Sequence, residues 1–108
     1  MTRSVLLTDG AARDLDELYA AAYEGAGAGA ADRFLDRIQV AFERLATSAE
    51  AGDPLPELRD MGLRDDLQLR GEAHRIVYRV RGDEVQVVLI APWERSLQSL
   101  LKRRVLDA

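Results

Sequence analysis

Apolar and polar residues along the chain change period three times. Ser4-Val-Leu-Leu-Thr8 is a short β-prone run that stops at Asp9-Gly10, where Thr8 or Asp9 is suited to cap a following helix. From Ala12 the apolar positions Ala12, Leu15, Leu18, Tyr19 and Ala22 recur at helical spacing, with Arg13, Asp14, Asp16 and Glu17 on the opposite, polar side. This predicts a helix ending near Gly25 and an interhelix turn in Glu24-Gly-Ala-Gly-Ala-Gly-Ala30. A second stripe of Ala31, Phe34, Leu35, Ile38, Ala41, Phe42 and Leu45 predicts a second helix to about Ala49, stopped by Gly52-Asp-Pro-Leu-Pro56.

After an irregular stretch from Pro54 to Asp66, the period falls to two. Leu67-Gln-Leu-Arg70 alternates, Gly71-Glu-Ala73 turns, and Arg75 to Arg81 sets Ile76, Tyr78 and Val80 on one face and Arg75, Val77, Arg79 and Arg81 on the other. Gly82-Asp83 reads as a two-residue hairpin turn. Val85 to Ile90 is almost continuously apolar, as in a central strand, and Pro92 ends it. Leu97, Leu100, Leu101 and Val105 mark a short C-terminal amphipathic helix with Lys102, Arg103 and Arg104 on its outer face. The expected fold class is α+β: an N-terminal strand, a helical hairpin packed on an antiparallel β-sheet, and a short C-terminal helix, in a single domain over residues 1–108.

Composition narrows what such a domain can do. With 108 residues, 47% of them hydrophobic, the chain can bury a sizeable core but is too short for a doubly wound nucleotide-binding domain or a barrel. Zero cysteines exclude thiol chemistry, disulfides and thiolate zinc sites. The apolar run before Asp9 is far shorter than a signal-peptide core or a membrane span, so a cytoplasmic protein with no membrane partner is expected. The formal charge of −4 argues against a nucleic-acid coat and against direct sequence-specific nucleic-acid binding. It also hides an asymmetry: residues 1–54 hold five arginines against ten acids, a net of −5, whereas residues 55–108 hold ten Lys or Arg against nine acids, a net of +1. An anion-binding surface belongs to the second half.

Catalytic resources are sparse. His74 is the single histidine, so the usual metal-ligand spacings are missing and neither a metal nor a cofactor is expected. Asp65, Asp66 and Glu72 read as solvated loop acids, and the glycine-rich turn follows a helix rather than a strand, which excludes a phosphate-cradling loop. No nucleophile-elbow motif accompanies the serines. The feature with functional shape is the arginine set around the meander. Arg70 ends one strand, Arg75 begins the next and Arg95 follows the last, so the three are placed to meet at one end of the sheet and hold a phosphate, a carboxylate or an acidic peptide. Arg79 and Arg81 read as a solvated strand face, and Trp93 at the strand-to-helix corner as a core plug or lid rather than a recognition platform. Lys102, Arg103 and Arg104 form a second candidate contact surface.

Taken in order, Val5-Leu-Leu-Thr8, Ala12-Arg-Asp-Leu15, Ala31-Asp-Arg-Phe-Leu35, Pro56-Glu-Leu-Arg59, His74-Arg-Ile-Val-Tyr-Arg-Val80, Gly82-Asp83 and Leu100-Leu-Lys-Arg-Arg-Val-Leu106 resemble the RelE/ParE superfamily of type II toxin-antitoxin toxins over nearly the whole chain. The resemblance implies the helical hairpin on a sheet, and a cognate antitoxin protein encoded beside the toxin. RelE-like members are ribosome-dependent, metal-independent mRNA endoribonucleases. By resemblance their active site would draw on Arg75 and Arg95, with Arg70 and His74 beside them. Here Asp66 and Gln68 stand where lysines would sit, and Leu101 where a C-terminal tyrosine would be. ParE-like members do no chemistry of their own and poison DNA gyrase; Pro-Glu-Leu-Arg and the Leu-Leu-Lys-Arg-Arg-Val-Leu tail look more like that branch, which is favoured. Arg70, Arg75, Trp93, Arg95, Lys102, Arg103 and Arg104 are then the candidates for target or antitoxin contact. Pro92-Trp-Glu-Arg-Ser96 replaces the Asp-Gly-Arg-Arg-Asp-like motif of many relatives, keeping only Arg95, so a degenerate, non-toxic antitoxin-binding module is the third reading.

Overall fold

The computed structural model describes residues 2–54, 66–71, 73–93 and 99–100. Its elements are β1 (Ser4–Leu7), α1 (Asp9–Ser48), a 3₁₀ turn at Ala49–Ala51, β2 (Asp53–Pro54), β3 (Asp66–Arg70), β4 (His74–Arg81) and β5 (Glu84–Pro92). Thr8 caps α1, its hydroxyl accepting a hydrogen bond from the Ala11 amide at 3.2 Å.

The two expected helices are the two arms of α1. Forty straight helical residues would extend about 60 Å, yet the longest dimension of the molecule is 38 Å. The run is broken at Ala26 (φ −148°, ψ 15°) and at Gly27, whose φ of 84° lies where L side chains are strained. Both arms pack on one core. Leu15, Leu18, Tyr19 and Ala22 come from the first, and Phe34, Ile38, Ala41 and Leu45 from the second. Two stripe assignments change: Ala11 rather than Ala12 is fully buried, and Leu35 is 39% exposed.

The sheet order is β1-β5-β4-β3-β2. It is mixed rather than purely antiparallel, because β1 lies parallel to β5 with Leu7 opposite Val87, while β2 to β5 form an antiparallel meander. The parallel pair arises because α1, folding back on itself, returns the chain across the sheet before the meander begins. Strand β2, paired through Asp53 and Pro54 to Gln68 and Leu67, begins a little before the stretch read as irregular. The turn at Gly82-Asp83 is the expected one, with Gly82 at φ 60° between the paired Arg81 and Glu84.

The register explains the unbroken apolar run in β5. Val77 pairs with Leu89 but Tyr78 pairs with Val87, so a bulge absorbs Val88. Ile90, Val87 and Val85 therefore all reach the core under α1, joined there by Ile76, Tyr78 and Leu69. The opposite face buries Val77, Leu89 and Ala91 as well.

Two polar contacts lock the layers. Strand β1 stops opposite Val87, which leaves the amide of Ile90 facing no strand; Asp14 of the first arm accepts its hydrogen bond at 3.0 Å. Asp14 is thus a sheet-capping residue rather than part of the solvated helix face. The Tyr78 hydroxyl donates to the Ala49 carbonyl, and a side chain at Gly52 would overlap its ring. Burial pushes the Tyr78 phenol above its usual pKa, and the charges of Glu50 and Asp53 push the same way; a hydrogen bond from the Gly52 backbone opposes them.

The short C-terminal helix falls mostly outside the described residues; Ser99 and Leu100 are helical. Among the described residues no helix is long and apolar enough to cross a membrane.

Candidate functional site

The arginines meet where the alternation of β3 and β4 places them. Arg70 and Arg75 are direct cross-strand partners flanking the Gly71 turn, and odd-numbered side chains of β4 point away from α1. Gly71 is needed at this turn because its amide bonds to the His74 carbonyl at 2.9 Å, and a Cβ there would lie only 2.9 Å from the same oxygen.

Trp93 organises the pair. Its indole N–H donates to the Gly71 carbonyl at 3.1 Å, tying the end of β5 to the β3–β4 turn. The guanidinium carbon of Arg75 lies 4.7 Å from the ring centroid and that of Arg70 lies 5.4 Å from it, two cation–π contacts on one ring. Trp93 is therefore both a corner tie and a platform for cations. Arg75 also donates to the Trp93 carbonyl at 3.2 Å and, more weakly, to Gln68 Oε1 at 3.4 Å. Its Nε is buried and makes no hydrogen bond among the described residues. Arg70 is different. Its side chain is 73% exposed, and its Nε is 3.9 Å from Asp53 Oδ2, a loose surface pair.

Further along the same face, Asp66 and Arg79 are opposite one another across the strands and form an ion pair at 3.1 Å. Asp66 is 3% exposed. Both correct the sequence reading, which took Asp66 for a solvated acid and Arg79 for a solvated cation. A buried carboxylate requires such a partner, and Arg79 is the residue the register supplies. Arg81, one pair further out, is exposed as expected.

His74 does not join this cluster. It points to the other face, where its ring meets Phe34 edge-on at 5.1 Å between centroids. Adjacent strand residues face opposite ways, so His74 and Arg75 cannot serve one site. Arg95, Lys102, Arg103 and Arg104 lie outside the described residues, as do Pro56 to Arg59, Asp65, Glu72 and Leu101. Among the described residues no group of three or more His, Cys, Asp or Glu side chains is placed to hold a metal ion.

Chemically, this is a rigid, cationic, aromatic-backed corner. One guanidinium is held against the sheet and the other, more loosely held by Trp93 and Asp53, is exposed, an arrangement suited to carboxylate or phosphate groups. Of the sequence candidates, the structure brings Arg70, Arg75 and Trp93 together. The contact of Gln68 with Arg75 was not foreseen, because it follows only from lying diagonal to Arg75 in the register.

The comparisons agree with this architecture. The family model of the ParE toxin of the type II toxin-antitoxin system, parDE, matches residues 5–96. Among solved structures, one described as the chromosomal ParDE TA system from P. aeruginosa is similar at 26% identity and a TM-score of 0.72, with 86% of this chain and 98% of that chain covered. No curated protein sequence matches significantly. A family match over most of the chain, together with a similar fold in that solved structure, places the protein in the ParE family of toxins of type II toxin-antitoxin systems.

Proposed function

We propose that this toxin inhibits DNA gyrase in the cytoplasm and is neutralised by a cognate antitoxin that binds it directly. The family match carries the reading. The neighbouring structure described as a ParDE system supports an antitoxin partner.

The site's chemistry weighs for a binding protein over a ribonuclease. Cleaving RNA through its ribose hydroxyl needs a general base beside the cations that stabilise the phosphate. Among the described residues, Arg75 is hydrogen-bonded to Gln68, which cannot take up a proton at neutral pH, and to Trp93. Asp66 is paired with Arg79, and His74 packs on Phe34 across the sheet. Arg70 and Arg75 then serve as contact residues, Arg70 through its exposed guanidinium.

The test is a gyrase supercoiling and cleavage-complex assay on the purified chain. Loss of supercoiling or accumulation of cleaved DNA at micromolar protein is expected. No effect on gyrase, together with codon-phased mRNA ends after induction, overturns the reading in favour of a ribosome-dependent nuclease. Harmless expression without the neighbouring gene would leave a non-toxic binding module.

A further inference from the structure

The two edges of the sheet are unlike. Among the described residues β2 ends it on one side and β1 on the other. β2 is only Asp53 and Pro54, and a short edge carrying a charge and a proline, which has no N–H to offer, is guarded against further pairing. β1 has neither device: Ser4-Val-Leu-Leu7 holds no charge and no proline. Val5 and Leu7 pack against the core, so Leu6 points to the opposite face of the sheet, where it is 46% exposed.

The hydrogen bonds fix which main-chain groups this edge presents. The amides of Ser4 and Thr8 donate to the carbonyls of Asp83 and Val87 at 2.9 and 3.0 Å. In a parallel pair alternate residues turn both N–H and C=O toward the neighbouring strand, so Val5 and Leu7 turn theirs outward. Among the described residues no strand lies on that side to receive them. Their side chains are anchored on the core, which holds the outward groups in an extended geometry ready for pairing.

We propose that β1 pairs antiparallel with β1 of a second copy of this chain, about a two-fold axis at Leu6. Val5 then lies opposite Leu7 of the second copy, and Leu7 opposite its Val5, each pair exchanging both N–H···O=C bonds. Leu6 meets Leu6 of the second copy with Cα atoms about 4.5 Å apart, the spacing of a pair that shares no hydrogen bond. The two side chains, exposed in the single chain, cover one another. The same register carries Arg3 toward Asp9 of the second copy at both ends, setting opposite charges at the rim. Asp9 is exposed and enters no ion pair among the described residues. This self-complementarity is what selects a second copy over a foreign strand: one short segment supplies both halves of the contact, and the assembly closes at two chains.

An edge this short buries much less than the ~1,000 Å² of a stable interface, so the dimer is weak, half formed at on the order of 100 μM chain. Sedimentation equilibrium of the full chain should show the mass rising from monomer toward dimer between about 10 μM and about 1 mM. Over the same range hydrogen exchange at the Val5 and Leu7 amides should slow severalfold, while the Thr8 amide, bonded to Val87, does not change. Leu6→Lys sets two ammonium groups against each other at the axis and should stay monomeric throughout, with the parent's thermal midpoint because the side chain is exposed. A parent that stays monomeric at the highest concentration, an L6K variant that associates as the parent does, or exchange at Val5 and Leu7 that ignores concentration overturns the proposal. So does slowing that arises only when the product of the neighbouring gene is added, which assigns the edge to a different protein.

Discussion

The two faces of the β3–β4–β5 meander are built from alternate residues of the same strands, yet they obey different physics. The face under α1 is apolar: Phe34, Leu45, Ile76, Tyr78 and Val87 are all at most 2% exposed, and His74 is held there by Phe34. The face looking away from α1 buries comparable positions but includes charge and amide groups among them, with Asp66 and Gln68 each 3% exposed. On the first face non-directional burial does the work, and shape is what matters. On the second the buried polar side chains are held by one another, so geometry is set by pairs: Asp66 with Arg79, Gln68 with Arg75, Arg75 with Trp93. The difference teaches why the candidate site lies on the second face. A surface held together by directional contacts can present cations in fixed positions, whereas an apolar face only adheres.

The contrast can be broken most forcefully at Phe34. Phe34→Ala should cost about 3–5 kcal/mol of stability by opening a cavity under both arms of α1, read by urea unfolding. A loss below 1 kcal/mol would mean the helical layer contributes little to the core. On the polar face the penalty should arise from a stranded charge instead. Arg79→Met leaves Asp66 buried and should cost about 2–4 kcal/mol, while the double change Asp66→Leu with Arg79→Met should recover most of that loss. If the double variant is no more stable than the single, the pair is not the source of the effect.

At the boundary between the layers, Asp14→Ala leaves the Ile90 amide without its acceptor. About 1–3 kcal/mol of destabilisation is expected, and hydrogen exchange at Ile90 should accelerate while the amide of Thr8, which donates to the Val87 carbonyl, stays protected. Trp93 offers an optical handle because it is the single tryptophan. Arg75→Ala should redden its emission and lower the unfolding midpoint modestly, since a cation–π contact contributes about 0.5–2 kcal/mol; unchanged emission would mean that Arg75 does not pack on the ring.

The smallest effect is electrostatic and lies away from both faces. A hydrogen bond from Arg3 holds the Glu50 carboxyl below its ordinary pKa of 4.5. A lowered folded-state pKa means the contribution is present above pH 4.5 and is lost as pH falls through the folded value. Glu50→Gln should flatten that part of the stability profile measured by thermal unfolding from neutral to acid pH. A profile identical to the parent's would show that the contact does not persist in solution.

Legibility in the sequence followed the directness of the signal. The helical arms were readable because stripes such as Phe34, Ile38, Ala41 and Leu45 repeat at the helix period, and Gly82-Asp83 because a two-residue turn needs positive φ. The closeness of Arg70 and Arg75 was readable from the turn between them. Asp66 was misread because a lone acid before a strand carries no sign of which residue will lie opposite it. His74 was grouped with Arg75 because chain proximity conceals the fact that neighbours in a strand face apart.

Local pattern by itself determined that this chain forms two helical arms and a three-strand meander, since periodicity and turn chemistry are encoded in contiguous residues. Tertiary structure alone decided that β1 runs parallel to β5, that Val88 bulges, that Asp14 caps a strand and that Asp66 meets Arg79. Each of those depends on register or on contacts between residues far apart in sequence. Such relations come into being only when the sheet assembles, and a linear pattern does not specify them.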